Sequence, residues 1–185
     1  MEHIAAFPLP PVTLVLGGAR SGKSTYAERL VTGTLFGASP RPAVYIATAE
    51  AGDVEMATRI MAHRARRGVG WTTLEEPIKL AEALDGAQAH RLPVLVDCLT
   101  LWLSNRMLAG VDVDAEVAVF EQALDRRAGA LVLVSNEVGF GIVPDNALAR
   151  RFRDLQGRLN QRMAARADRV ALLVAGLPLI VKGCS

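Results

Sequence analysis

Hydrophobic residues fall into short unbroken runs separated by longer stretches of helical periodicity. The runs are Val-Thr-Leu-Val-Leu at 12–16, Ala-Val-Tyr-Ile-Ala at 43–47, Pro-Val-Leu-Val-Asp at 93–97 and Ala-Leu-Val-Leu-Val at 130–134. Runs of that length, bounded by turn residues, predict strands buried on both faces of a parallel sheet. A shorter strand is expected at 71–74, after the break at Gly68-Val69-Gly70. Helices are predicted at 23–32, 54–67, 77–89, from about 100, at 113–128 and at 146–167. In the helix over 54–67, Met56, Ile60 and His63 share one face and Asp53 stands as its N-cap. The helix over 146–167 carries the apolar stripe Leu148, Phe152, Leu155, Leu159 and Met163. Its arginines, Arg150, Arg151, Arg153, Arg158 and Arg162, lie mostly off that stripe and read as a solvated face.

At the C-terminus, 170–175 is expected to extend, Gly176-Leu177-Pro178 to turn, and 179–181 to pair back as an antiparallel edge. Strands alternating with helices make this an α/β chain, doubly wound around a mostly parallel sheet with an antiparallel C-terminal edge strand. Residues 1–11 read as an N-terminal extension ending at Pro10-Pro11, and 12–185 as a single domain.

The chemistry enters between the first strand and the first helix. Gly17-Gly18-Ala19-Arg20-Ser21-Gly22-Lys23-Ser24 matches G-x-x-x-x-G-K-[ST] in the strand–loop–helix context the motif requires. Glycines let successive N–H groups turn inward on a phosphate chain, and the helix N-terminus adds its dipole. Lys23 is placed to reach the β- and γ-phosphates and Ser24 to offer a hydroxyl to Mg²⁺. The third core strand ends in Asp97, the Walker B pattern, whose carboxylate suits Mg²⁺ beside Ser24.

Composition narrows the class further. A 51% hydrophobic fraction with 22% charged residues fits a globular chain, and a net charge of +2 makes no case for a nucleic-acid partner. Cys98 and Cys184 have no metal or redox spacing, so a reducing cytoplasm is the expectation. The N-terminus carries no Lys or Arg before Arg20 and does not read as a signal peptide. The longest apolar stretch, 170–181, is broken by Gly176 and Pro178 and is too short for stable membrane insertion.

In parallel α/β sheets ligands bind at the carboxyl ends of the strands. Segments 17–24, 47–52, 97–100, 135–144 and 175–177 therefore converge on the site, which nominates Thr48, Asp97 and the turn Ser135-Asn136-Glu137. His63 has two readings. Periodicity favours a half-buried packing histidine. Against that, Arg64, Arg66 and Arg67 follow at once. Their charges depress an imidazole pKa, favour its neutral form and attract phosphates.

Beyond the P-loop, further segments carry a resemblance. They are Tyr45-Ile46-Ala47-Thr48, Glu55-Met56-Ala57-Thr58-Arg59-Ile60-Met61-Ala62-His63-Arg64 and Asp97-Cys98-Leu99-Thr100-Leu101-Trp102-Leu103-Ser104-Asn105. Two more are Ser135-Asn136-Glu137-Val138-Gly139-Phe140-Gly141-Ile142-Val143-Pro144 and Arg151-Phe152-Arg153-Asp154-Leu155-Gln156-Gly157-Arg158-Leu159-Asn160-Gln161. In this order they resemble the bifunctional adenosylcobinamide kinase/adenosylcobinamide-phosphate guanylyltransferases of cobalamin biosynthesis, from about Thr13 to Lys182.

The resemblance implies a RecA-like P-loop NTPase fold, a homotrimer and two reactions. ATP or GTP phosphorylates adenosylcobinamide; GTP then donates GMP to adenosylcobinamide phosphate through a guanylylated histidine, releasing pyrophosphate. The matching histidine is His63, with Lys23 and Asp97 as the other catalytic positions. Nucleotide contacts carried over by the resemblance are Gly17, Gly18, Ala19, Arg20, Ser21, Gly22, Lys23, Ser24, Ala47, Thr48, Ala49, Arg64, Ala65, Arg66, Arg67, Glu75 and Asp97. Ser24 and Asp97 are its Mg²⁺ positions. It further requires that the helix bearing His63 move, or that the nucleotide take a different pose in each reaction. The competing expectation is a P-loop small-molecule kinase in which His63 is structural.

Overall fold

The computed structural model describes residues 9–50, 52, 54–68 and 70–183, with the side chains of Glu55, Met56, Arg59, Arg66 and Gln88 outside that description. The proposed cap Asp53, the residues 1–8 of the N-terminal extension and Cys184 also lie outside the described residues.

Seven strands form one sheet: β1 (Val12–Gly17), β2 (Ala43–Ala47), β3 (Trp71–Glu75), β4 (Val94–Asp97), β5 (Leu131–Asn136), β6 (Arg169–Val174) and β7 (Leu177–Lys182). Their order is β3-β2-β4-β5-β1-β6-β7. Every pairing is parallel except the last, β6 with β7. The helices are α1 (Lys23–Thr32), α2 (Val54–Arg66), α3 (Leu80–Ala87), α4 (Leu99–Leu108), α5 (Val113–Arg126) and α6 (Ala147–Arg166).

The apolar runs form the central strands because both of their faces are covered. On one face Leu14, Val44, Ile46, Val96 and Leu133 pack against Leu84, Trp102, Phe120, Leu159 and Met163 from α3 to α6. On the other, Val15, Tyr45, Leu95, Val132 and Ala171 meet Ala27, Leu30 and Val31 of α1. Trp102 and Phe120 lie with ring centroids 5.7 Å apart, and the Trp102 indole donates to the Ile78 carbonyl at 2.9 Å.

Three expectations shift. The helix predicted from 77 starts only at Leu80, because Glu76 Oε1 accepts the N–H groups of Ile78 and Lys79 and holds that stretch as a turn. The C-terminal turn is Ala175-Gly176, both at positive φ (51° and 81°), the signature of a two-residue hairpin. Pro178 sits inside β7, where its missing N–H is harmless on an edge strand. In α6, Leu148 of the expected stripe is exposed while Gln156 and Asn160 are buried.

Arg162 departs from the solvated-face reading as well. It reaches α5 and donates to both oxygens of buried Glu121, at 2.8 and 2.7 Å. That hydrogen-bonded pair is the main reason the Glu121 pKa is lowered. A carboxyl depressed in the folded state contributes stability above its unfolded pKa, and loses it as pH falls through the folded one. Glu121→Gln is therefore expected to cost about 2 kcal/mol near neutral pH. The gap to wild type should close in the acid range, in a thermal-melting series from pH 7 to pH 3. A gap that stayed constant with pH would refute the ionic contribution.

Candidate active site

Parallel register brings the carboxyl ends of the strands into one row. Ala47 of β2 stands opposite Glu75 of β3 and Asp97 of β4, and Gly17 of β1 stands opposite Asn136 of β5. The P-loop leaves the end of β1 beside this row. A Cβ on Gly17 would lie 2.9 Å from the Leu173 carbonyl oxygen, so a side chain there would push the loop off β6. Gly22 has φ 91°, and a Cβ on it would come within 3.2 Å of Gly176 Cα. The Gly176 N–H in turn donates to the Ser21 carbonyl at 2.9 Å, so the β6–β7 turn braces the loop. Lys23 is nearly buried and its Nζ donates to the Gly18 carbonyl at 2.8 Å.

A cavity of about 840 Å³ opens over this edge of the sheet. Ala19 to Ser24 line it from the P-loop, with Ala47 at the end of β2, Ala49 beyond it and Glu75 at the end of β3. His63, Arg64 and Arg67 of the α2 segment, Asp97 of β4 and Asn136 of β5 complete the wall. The helical face that periodicity assigned to packing thus fronts the cavity: Ile60 and His63 both line it.

His63 Nδ1 lies 3.9 Å from Asp97 Oδ2, and the Tyr45 hydroxyl donates to the same oxygen at 2.7 Å. Burial is the largest cause of a strongly raised Tyr45 pKa, with Asp97 adding to it, so Tyr45 remains a proton donor to the carboxylate. The Tyr45 ring is held by Trp71 edge-on, with centroids 5.6 Å apart, and by the Arg67 guanidinium 3.9 Å from its centroid. Arg64 pairs with Glu75, each about half exposed. The arginine charges that the sequence set around His63 are thus partly engaged elsewhere, and Asp97 brings a carboxylate beside the imidazole.

Other expected positions are held outside the cavity wall. Thr48 is fully buried; its hydroxyl donates to the Cys98 carbonyl at 2.6 Å and accepts the Cys98 N–H at 2.8 Å, which clasps the turn after Asp97. Among the described residues Gly17, Gly18 and Ala65 do not line the cavity either, and the Arg66 side chain is outside the description. Cys98 lines the cavity, but burial pushes its thiol up to about 12, so it offers no thiolate at neutral pH.

Two polar networks fix the rim, and their members, Pro77 apart, lie in the segments that carried the resemblance. Asn105 Nδ2 donates to the carbonyls of Thr48 and Pro77, at 3.0 and 3.1 Å. Thr100 Oγ1 accepts the Asn136 N–H at 2.7 Å, while Asn160 Nδ2 donates to the Asn136 carbonyl at 3.0 Å. Gln156 and Asn160 also hold the Ser135 hydroxyl, at 2.9 and 2.7 Å. Tyr45 was missed as a site residue. Its position two residues before the end of a core strand, opposite the strand that ends in Asp97, is the signal that could have found it.

A P-loop after β1, one strand between it and the acid-tipped β4, and helices on both faces place the chain among the P-loop NTPase folds of the doubly wound α/β class. The flagellar accessory protein FlaH of Methanocaldococcus jannaschii shares that fold, with a TM-score of 0.54 at 13% identity over 95% of this chain and 80% of that one. The chain belongs to the cobinamide kinase / cobinamide phosphate guanyltransferase family, whose model matches residues 13–181. It is 50% identical to the bifunctional adenosylcobalamin biosynthesis protein CobP of Pseudomonas aeruginosa, over 92% of this chain and 96% of that protein. It is 42% identical to the bifunctional adenosylcobalamin biosynthesis protein CobU of Salmonella typhimurium, over 91% and 98% respectively. No helix among the described residues is long and apolar enough to cross a membrane.

Proposed function

We propose that this protein phosphorylates adenosylcobinamide with ATP or GTP and then transfers GMP from GTP to the product by way of His63. Family membership supports the two activities. The observation that carries the histidine's role is its place 3.9 Å from Asp97, in a cavity shared with the P-loop lysine.

In the first reaction the loop amides and Lys23 hold the triphosphate, and the aminopropanol hydroxyl attacks the γ-phosphorus. The bond to the β–γ bridging oxygen breaks, the nucleoside diphosphate leaves, and the hydroxyl proton passes to solvent. In the second, an Nδ1 proton directed toward Asp97 leaves the lone pair on Nε2, which attacks the α-phosphorus of GTP and expels pyrophosphate. The phosphate of adenosylcobinamide phosphate then attacks the same phosphorus. The P–N bond breaks, a phosphoanhydride forms, and the imidazole is restored. Arg64 and Arg67 spread the charge of the two anions that must meet. The Ser24 hydroxyl and Asp97 carboxylate are hard oxygen donors of the kind Mg²⁺ takes alongside waters and phosphate oxygens, and they would hold it where it neutralises the phosphate chain.

The continuous sheet, covered on both faces, supports reading 12–185 as one domain. The family resemblance supports a homotrimer, and the exposed Leu177 and Val181 of edge strand β7 are apolar surface that another copy could bury. A cytoplasmic location goes with the same reading.

The test is labelling. GTP carrying label at its α-phosphorus is expected to leave an acid-labile, base-stable adduct on the protein, and γ-label none. Adding adenosylcobinamide phosphate should discharge that label into product. Absence of any adduct would leave a kinase with a structural histidine.

A further inference from the structure

A second cavity, also about 840 Å³, lies on the other flank of the P-loop, between α1 and the β6–β7 hairpin. Gly22 and Thr25 line both cavities, so the start of α1 divides them. The size falls within the ~300–1,000 Å³ usual for small-molecule sites. Tyr26, Leu35, Phe36, Pro178 and Ile180 give the flank cavity apolar walls with two aromatic rings. On its floor Arg169 is only 8% exposed, and its Nε has no hydrogen-bond partner among the described residues. A guanidinium offers donors only, and a buried donor without an acceptor is costly. Arg29 brings a second guanidinium to the same wall.

Resting on the two-reaction reading above, we infer that the flank cavity receives the nucleoside of the phosphoryl donor in the kinase reaction, while the GTP that guanylylates His63 lies with its nucleoside in the main cavity. The purine stacks against Tyr26 and Phe36, and Arg169 meets an acceptor of the ribose or base. The division follows from geometry. A triphosphate entering from the flank passes Thr25 and Gly22 along the loop amides and presents its γ-phosphorus to the main cavity. The acceptor hydroxyl can then approach opposite the leaving oxygen, with that cavity free for the corrinoid's side arm. His63 and the ion pair of Arg64 with Glu75 lie in the main cavity, so an α-phosphorus can meet the imidazole only when the nucleoside is there too. One loop then serves two poses.

The experiment uses the full chain with Arg169→Gln and, separately, Phe36→Ala, a position 43% exposed, each variant's fold checked by thermal melting. Donor KM in cobinamide phosphorylation is measured with ATP and with GTP, beside the GTP concentration dependence of His63 labelling. Donor KM is expected to rise about tenfold, the loss of one stacking or hydrogen-bonding contact, with kcat little changed. The labelling curve should not move. Unchanged donor KM in Phe36→Ala overturns the inference even if Arg169→Gln fails to fold. A parallel shift of KM and labelling overturns it as well, since both reactions would then share one pose. Failure of wild type to label sinks the guanylylation reading instead, and the donor KM still decides the flank cavity.

Discussion

His63→Ala is expected to abolish labelling by α-labelled GTP and to lower guanylyl transfer by at least about 10³-fold, as loss of a covalent nucleophile does. Phosphorylation of adenosylcobinamide should remain within a few-fold of wild type. The asymmetry follows from where the imidazole sits. It faces the cavity 3.9 Å from Asp97, whereas the direct phosphate-handling groups, Lys23 and the loop amides, belong to α1 and the turn before it. The ring is about one-third exposed, so its removal opens no sealed void in the core. The measurement is a pair of product assays on one preparation: adenosylcobinamide phosphate by chromatography, and adenosyl-GDP-cobinamide from supplied phosphate ester. If both activities fell together, the histidine would be supporting the P-loop instead of reacting. If guanylyl transfer survived, the nucleophile would lie elsewhere.

Lys23→Ala carries the second large effect. Phosphoryl transfer is expected to fall about 10²–10³-fold, the cost of removing a charge aimed at a developing anion. The protein should fold nonetheless, since the Lys23 Nζ donates to a carbonyl of its own loop and the brace from the Gly176 N–H to the Ser21 carbonyl remains. His63 labelling should also weaken, because the β- and γ-phosphates of GTP need the same loop in either pose. Normal cobinamide phosphorylation by this variant, read by the same chromatographic assay, would remove the P-loop from the reaction.

Much of the architecture was legible because the parallel strands are apolar on both faces, and each run ends where a loop must begin. The P-loop could be read outright, since its spacing states a backbone geometry. Asp97 could be read from its place at a strand end. What could not be read were the relations across strands. Tyr45 donating to Asp97, and Thr48 clasping Cys98, join residues in or just after β2 and β4 that are far apart in sequence. The register that unites them, Ala47 opposite Asp97, leaves no periodic trace. For His63, periodicity described the face of α2 correctly but could not say whether that face met a core or a cavity. Nor did residue type announce that Gln156 and Asn160 are buried, where the Gln156 amide donates to the Ser135 hydroxyl and the Asn160 amide to the Asn136 carbonyl.

The bracing of the P-loop by the last hairpin has a consequence for how the chain is made. β1 precedes the other described strands in sequence, but its two neighbours are β5 and β6, and the turn that seats its loop is Ala175-Gly176. Residues through Gly176 must be synthesised before the phosphate-binding loop has both walls. Non-local pairing of this kind is slow, and the apolar β1 has to wait for its partners. A nascent chain stalled before residue 169 would carry every motif of the kinase and have no completed place to put a phosphate.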